Sequence, residues 1–367
     1  MIRYLPILKT RDAELRGVCS LAENVKQGIV PLFELTKSRS NPRAKDGQID
    51  GPVHKRVEKI QRDYGTGVIG LDLTSIPALQ NQYILTLLKN DNGFSEWVNY
   101  VNTLKNTFPD LIPVLMVSDA GIDTEDRYIE VHRHEAANLG KCMYRAPLDY
   151  GTMVFDIQNF FAPGNFPIVV LDAGYIPQNQ GKIIAAKILP IIASIYGTGV
   201  TEIILAGSSY PSDPTTNNAG RDSGENILEE VRMYLECKKT YPNLIYGDYA
   251  TLYPSPSDRE GGRGWIPRID FPTCPVDEND CGAIAYHRSR RDKTETSYAP
   301  AYRRAARKVK QDQRFHKLIQ KIGDKNWGIQ QILSTADGDY VGLSPSFWIS
   351  VRINLHVTLR QLIFSDS

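Results

Sequence analysis

Five short apolar runs in this chain stop on a carboxylate: "VPLFELT" at Glu34, "VIGLDLT" at Asp72, "VLMVSD" at Asp119, "IVVLDAG" at Asp172 and "LIYGDYA" at Asp248. Runs of this length, rich in Val, Ile and Leu and bounded by turn residues, mark strands buried on both faces, which implies a mainly parallel sheet covered by helices. Eight candidate strands follow from this pattern, at residues 3–9, 29–35, 67–73, 111–117, 141–148, 167–173, 202–208 and 244–250. The segments between them read as helices, several opening behind Asp, Ser or Gly and closing near Gly or Asn. Strand alternating with helix eight times over roughly 250 residues predicts an α/β fold, a TIM-type (β/α)8 barrel with a C-terminal α+β extension. The alternative is an open doubly wound parallel sheet.

Composition narrows the class. Of 367 residues, 41% are hydrophobic and 23% charged, values of a globular protein, and no run approaches the ~18 apolar residues of a membrane span. The first residues, "MIRYLPILKTRDAEL", enter a strand directly without the pattern of a secretory signal, so the expected compartment is the cytoplasm. Five scattered cysteines argue against a disulfide framework. Cys274 and Cys281 in "CPVDENDC" are the one close couple, and they read as loop thiols rather than a metal or redox pair.

After residue 250 the pattern changes. Residues 254–282 are rich in Pro and Gly and read as a long loop. A short strand is expected at 282–288, a basic helix around 300–322, and a closing stretch, "GLSPSFWISVRINLHVTLRQ", whose alternation of apolar and polar residues suggests a strand or an amphipathic segment. The expected organisation is therefore a barrel over 1–253, the loop 254–282, and a basic region 283–367 packed on the barrel. Net charge is +1, yet residues 281–367 hold 15 Lys and Arg against 7 Asp and Glu, leaving 28 against 35 upstream. Such a concentration suits phosphates or an acidic partner surface; a solvated helix face is the plainer alternative.

If the strands close, Lys9, Glu34, Asp72, Asp119, Arg145, Asp172, Ser208 and Asp248 lie at or near their carboxyl ends, with Ser209 beside them, and converge on one mouth. Acids and bases on such a rim can perturb one another's protonation, bind a divalent metal ion through carboxylate oxygens, or hold a phosphate. No resident cofactor is expected. The competing reading is that these acids cap helices or pair with Lys9 and Arg145. The sequence contains no phosphate-binding GxxxxGK[ST], no GxGxxG after a strand, no HExxH and no GxSxG. His132 and His134, two apart on a helix, fall on different faces and read as solvent-facing. A second candidate surface comprises Arg288, Arg290, Arg291, Arg303, Arg304, Arg307 and Lys308, interleaved with Tyr286, Tyr298 and Tyr302, which could join phosphate contacts to base stacking.

Several of these stretches, in order, carry a resemblance. "LPILKTRDAEL", "VPLFELT", "MYRAPL", "VVLDAG", "LAGSSYP", "GDYA", "IAYHR" and "GLSPSFWISVRINLHVTLRQ" are together similar to the beta family of phage and phage-satellite proteins across nearly the whole chain. The resemblance implies an accessory protein of a mobile-element immunity cassette, acting on a partner protein such as a toxin or effector, or on nucleic acid, to control anti-phage defence. It assigns no reaction. The positions it carries over are Lys9, Glu14, Glu34, Arg145, Asp172, Ser209, Tyr210, Glu225, Asp248, Tyr249, Tyr286, Trp348, Asn354 and His356, with Trp348, Asn354 and His356 forming a C-terminal motif. The loop at 254–282 is bulkier than the family pattern. The alternative function is a barrel enzyme that binds or hydrolyses a phosphorylated small molecule or nucleotide at its mouth.

Overall fold

The computed structural model describes residues 2–38, 51–255, 265–339 and 342–365. Eight parallel strands, β1 (Tyr4–Lys9), β2 (Leu32–Leu35), β3 (Gly70–Leu73), β4 (Ile112–Pro113), β5 (Met143–Pro147), β6 (Ile168–Tyr175), β7 (Ile203–Ser208) and β9 (Ile245–Asp248), pair in the order β4-β3-β2-β1-β9-β7-β6-β5. The two ends of that order also meet. Val114, just past β4, bridges in parallel to Met143, and the Leu115 N–H donates to the Met143 carbonyl at 2.8 Å. The sheet is therefore a ring, as the alternating pattern predicts, and the open-sheet alternative falls. The fourth strand is shorter than the run at 111–117 suggests, because the backbone leaves the ladder beyond this bridge.

Register decides which side chains face the barrel axis. Lys9 pairs with Glu34 and Glu34 with Asp72, so three charged residues share one inward layer at the carboxyl ends. Beneath them Leu32 pairs with Gly70. A Cβ on Gly70 would lie 2.8 Å from Leu32 and 3.3 Å from Met143, and glycine is what lets this layer close under the charged one.

A second, antiparallel sheet of three strands, in the order β10 (Arg268–Pro272), β11 (Ala283–Arg288), β8 (Ser223–Ile227), stands beside the barrel. Its edge strand β8 arises in the chain between β7 and β9. The basic stretch at 300–322 is two helices, Ala299–Gln311 and Gln313–Ile322, broken at Asp312, whose carboxylate accepts from the Arg314 N–H as an N-cap. Of the loop expected over 254–282, residues 256–264 lie outside the described residues and 268–272 form β10.

The closing stretch is a helix, Pro345–Ser365, which corrects the strand reading. The physical reason lies in its surroundings. Val351, Leu355 and Leu359, one face at i, i+4, i+8, join the core of the small sheet, while Ile353 and Val357 join the barrel core. Between these faces run Arg352, His356 and Arg360 at the same spacing, and all three are buried. A helix that serves two cores and buries a polar stripe between them shows apolar residues at nearly every second position. This closing helix packs on the first helix, Asp12–Cys19, where Gly17 permits the contact: a Cβ there would sit 2.8 Å from the Ser350 carbonyl oxygen. Among the described residues no helix is long and apolar enough to cross a membrane.

Candidate active site at the barrel mouth

Arg145 on β5 reaches across the barrel and engages all five guanidinium hydrogens. Its Nε and Nη2 donate to Asp172 Oδ2 at 3.0 and 2.8 Å, its Nη1 to Glu34 Oε1 at 2.8 Å and Asp72 Oδ2 at 2.7 Å, and its Nη2 to the Tyr249 hydroxyl at 2.8 Å. Tyr249 in turn donates to Asp172. Lys9 completes the layer, with Nζ 3.0 Å from Glu34 Oε2 and 3.2 Å from the Pro254 carbonyl oxygen. Three carboxylates and two bases thus meet in one connected layer. The side chains retain a small opening to solvent, from 7% for Lys9 to 13% for Arg145.

The two adjacent acids of the layer are driven apart in acidity. Burial raises the Glu34 carboxyl, but Arg145 and Lys9 together outweigh it, and Glu34 is held below the usual value. At Asp72 burial dominates over the pull of Arg145, and the charge of Glu34 adds to it, so Asp72 is pushed up. Burial opposes the Arg145 charge, yet Tyr249 and the three carboxylates hold it firmly protonated. Arg145 occupies the space between Glu34, Asp72 and Asp172 that a divalent ion would need. Among the described residues, no group of three or more His, Cys, Asp and Glu side chains is placed to hold a metal ion.

Two of the expected rim residues, Asp248 and Asp119, lie elsewhere. Asp248 pairs with Pro6, three positions before Lys9 on β1, and with a side-chain period of two this places it on the opposite, outward face. There it accepts from Tyr4 at 2.8 Å, Tyr246 at 2.9 Å and His356 Nε2 at 2.7 Å. Asp119 is exposed in a turn. Ser208 accepts from the Tyr210 N–H at 3.2 Å, and Ser209 is bound to Glu230, a fully buried acid that sequence reasoning missed. Tyr249, by contrast, is legible from Asp248: if one faces out, its neighbour faces in.

The turn after β9 is strained and held from outside the barrel. Ala250 and Thr251 have φ of 47° and 67°, a left-handed conformation costly for residues with a Cβ and most of all for a β-branched one. Asp248 accepts from the Ala250 N–H at 2.8 Å, and Arg352 Nε donates to Thr251 Oγ1 at 3.0 Å. The closing helix therefore fixes the turn that aims Tyr249 at the mouth. The remaining C-terminal motif residues are joints: Trp348 stacks on Tyr302, and Asn354 links the Gly17 carbonyl to the Gly328 N–H.

Most of the basic surface is engaged within the protein. Arg288 holds Asp222 and the Gly220 carbonyl, Arg303 and Arg307 donate to the carbonyls of Asp337 and Ala336, Arg304 pairs with Glu295, and Lys308 donates to the Arg288 carbonyl. Tyr286 and Tyr302 are buried and offer no stacking face. Arg290 and Arg291 are exposed and carry no carboxylate partner among the described residues. His132, expected at the surface, is buried, with Phe160 stacked at 4.7 Å and the Ser118 N–H donating to its Nε2 at 3.2 Å. The five cysteines, Cys274 and Cys281 included, are free thiols.

Comparison with known proteins places this geometry in context. The chain is 26% identical over 377 residues to protein beta of Enterobacteria phage P4, covering 99% of this chain and 94% of that protein. Among solved structures it is similar to an intracellular xylanase of Thermoanaerobacterium saccharolyticum determined with xylotetraose, at 10% identity and a TM-score of 0.36, over 67% of this chain and 84% of that one. The barrel assignment rests on the strand register and not on that likeness. The model of the Beta protein family matches residues 4–360, and the chain belongs to that family.

Proposed function

We propose that the barrel mouth binds a small polar molecule, neutral or cationic, and moves a proton on it, with Asp72 and Glu34 as the acid and base pair. The observation that carries this reading is the pairing itself: Glu34 and Asp72 lie in register on neighbouring strands and share Arg145 Nη1. Two carboxyls whose surroundings push their acidities apart are the arrangement that lets one donate a proton while the other stays ionised. Asp72, whose carboxyl is pushed up, takes the role of acid, and Glu34, held below its usual value, that of base. Arg145 keeps both in place, Lys9 orients Glu34, and Tyr249 holds Asp172. A hydrolase or lyase is the reaction class this fits.

The same geometry argues against the phosphorylated substrate of the alternative reading of the sequence. A phosphate receptor needs free donors, and every N–H of Arg145 is already engaged. A panel of small molecules screened by thermal shift tests the reading, with wild type compared with Asp72→Asn and Glu34→Gln. Stabilisation by neutral or cationic polar compounds, lost in both variants, supports it. Stabilisation by phosphorylated compounds, or an equal response in the variants, overturns it.

A second reading keeps the accessory role implied by the resemblance, action on a toxin or effector partner, or on nucleic acid, in an immunity cassette. The observation that favours it is the exposed positive charge at Arg290 and Arg291, which no carboxylate among the described residues meets. Loss of partner capture on substituting these two, with the mouth variants unaffected, supports that role.

A further inference from the structure

Trp265 is 39% exposed. Its ring stacks on Tyr298 with centroids 4.3 Å apart and planes 21° from parallel, and the Arg291 guanidinium lies 5.0 Å from the centroid of the Tyr298 ring. The indole is thus anchored on one face. Among the described residues no ring covers the other.

The charge around this platform is mainly positive. Arg290, Arg291 and Lys293 are exposed on the adjoining loop, and no carboxylate among the described residues pairs with them. The acids of the same loop are engaged: Asp292 accepts from the N–H and hydroxyl of Thr294, and Glu295 is bound by Arg304. Glu295 is thus neutralised within the protein, and of the charges left exposed on the loop three are positive and one, Asp292, is negative.

We propose that this surface binds single-stranded nucleic acid, with a base stacked on Trp265 and flanking phosphates held by Arg290, Arg291 and Lys293. Every base has a π face and every link a phosphate, so an anchored aromatic ring set among exposed cations matches both parts of the ligand. A duplex keeps its bases paired and stacked, and gives a protruding indole no partner. An acidic peptide would use the three cations and leave the indole without a role. The platform is independent of the mouth chemistry and stands if that reading fails.

Fluorescence anisotropy with labelled 12-nucleotide oligothymidylate and oligouridylate at 50 mM salt is the test, with intrinsic tryptophan quenching as a second signal. Trp265→Ala is expected to weaken binding about tenfold and Trp265→Phe less. Arg290→Ala, Arg291→Ala and Lys293→Ala together are expected to lower the slope of log affinity against log salt by about 2. Absence of binding by either oligonucleotide overturns the proposal, as does binding unchanged by Trp265→Ala in a variant with wild-type circular dichroism. Capture of polyglutamate with equal affinity and no dependence on Trp265 overturns it in favour of an acidic protein partner.

Discussion

Arg352 and Thr251 lie 101 positions apart in the chain and meet at 3.0 Å, the guanidinium of the closing helix holding the hydroxyl of a residue at φ 67°. Arg352 is buried, and its Nη1 also serves Tyr210 at 2.6 Å and Asp270 at 2.9 Å. A contact between the outside of the barrel and its rim thus fixes the conformation in which Tyr249 reaches Asp172.

Thr251→Val keeps the shape and removes the acceptor, leaving a buried Nε–H of Arg352 unpaired. The expected cost is about 1–3 kcal/mol in urea denaturation. Thr251→Ser restores the oxygen and is expected to fall close to wild type.

Arg145→Lys preserves the charge and loses the planar fork. Because one guanidinium serves three carboxylates and Tyr249, a single ammonium leaves several of them without a partner. A loss of about 3–5 kcal/mol is expected, the range for breaking a buried ion pair from one side.

Glu230 makes a prediction about pH. Burial is the main cause that pushes its carboxyl up to about 7 from an ordinary 4.5, with the bonds from Ser209 pulling the other way and the charge of Asp248 adding to the rise. The folded state therefore holds this proton more tightly than the unfolded chain. The stability it contributes is complete below the unfolded value and is lost as pH rises from about 4.5 to about 7. Glu230→Gln should gain on wild type across that window, by up to about 3 kcal/mol at pH 8, with no gain at pH 4. Chemical denaturation at the two pH values checks the sign.

Arg303 and Arg307 cap the carboxyl end of the helix Trp327–Asp337 through the carbonyls of Asp337 and Ala336. Replacing both with Ala is expected to cost about 1–2 kcal/mol, with a smaller loss at high salt, because a cation at a helix carboxyl end is partly screened. Equilibrium denaturation at low and high salt measures it.

The barrel was legible because its strands are short, apolar and regularly spaced, and a run such as "VIGLDLT" states its own burial. The convergence of Lys9, Glu34, Asp72, Arg145 and Asp172 was legible for the same reason. Asp248 was misplaced because ending an apolar run says nothing about parity, and parity alone decides whether a side chain faces the axis or the helices. The closing helix was misread because two cores and a buried polar stripe give it a period of two. The full engagement of Arg145 could not be read at all, since no local pattern states how far a side chain reaches across a ring.

The acidities of Asp72 and Glu34 test the central claim most directly. Carboxyl carbon resonances, assigned by Asp72→Asn and Glu34→Gln, are followed by NMR from pH 2 to 8. The account predicts an inflection for Asp72 above the ordinary 3.8 and one for Glu34 below the ordinary 4.5. Asp72 titrating at or below its ordinary value, with Glu34 above its own, would contradict it.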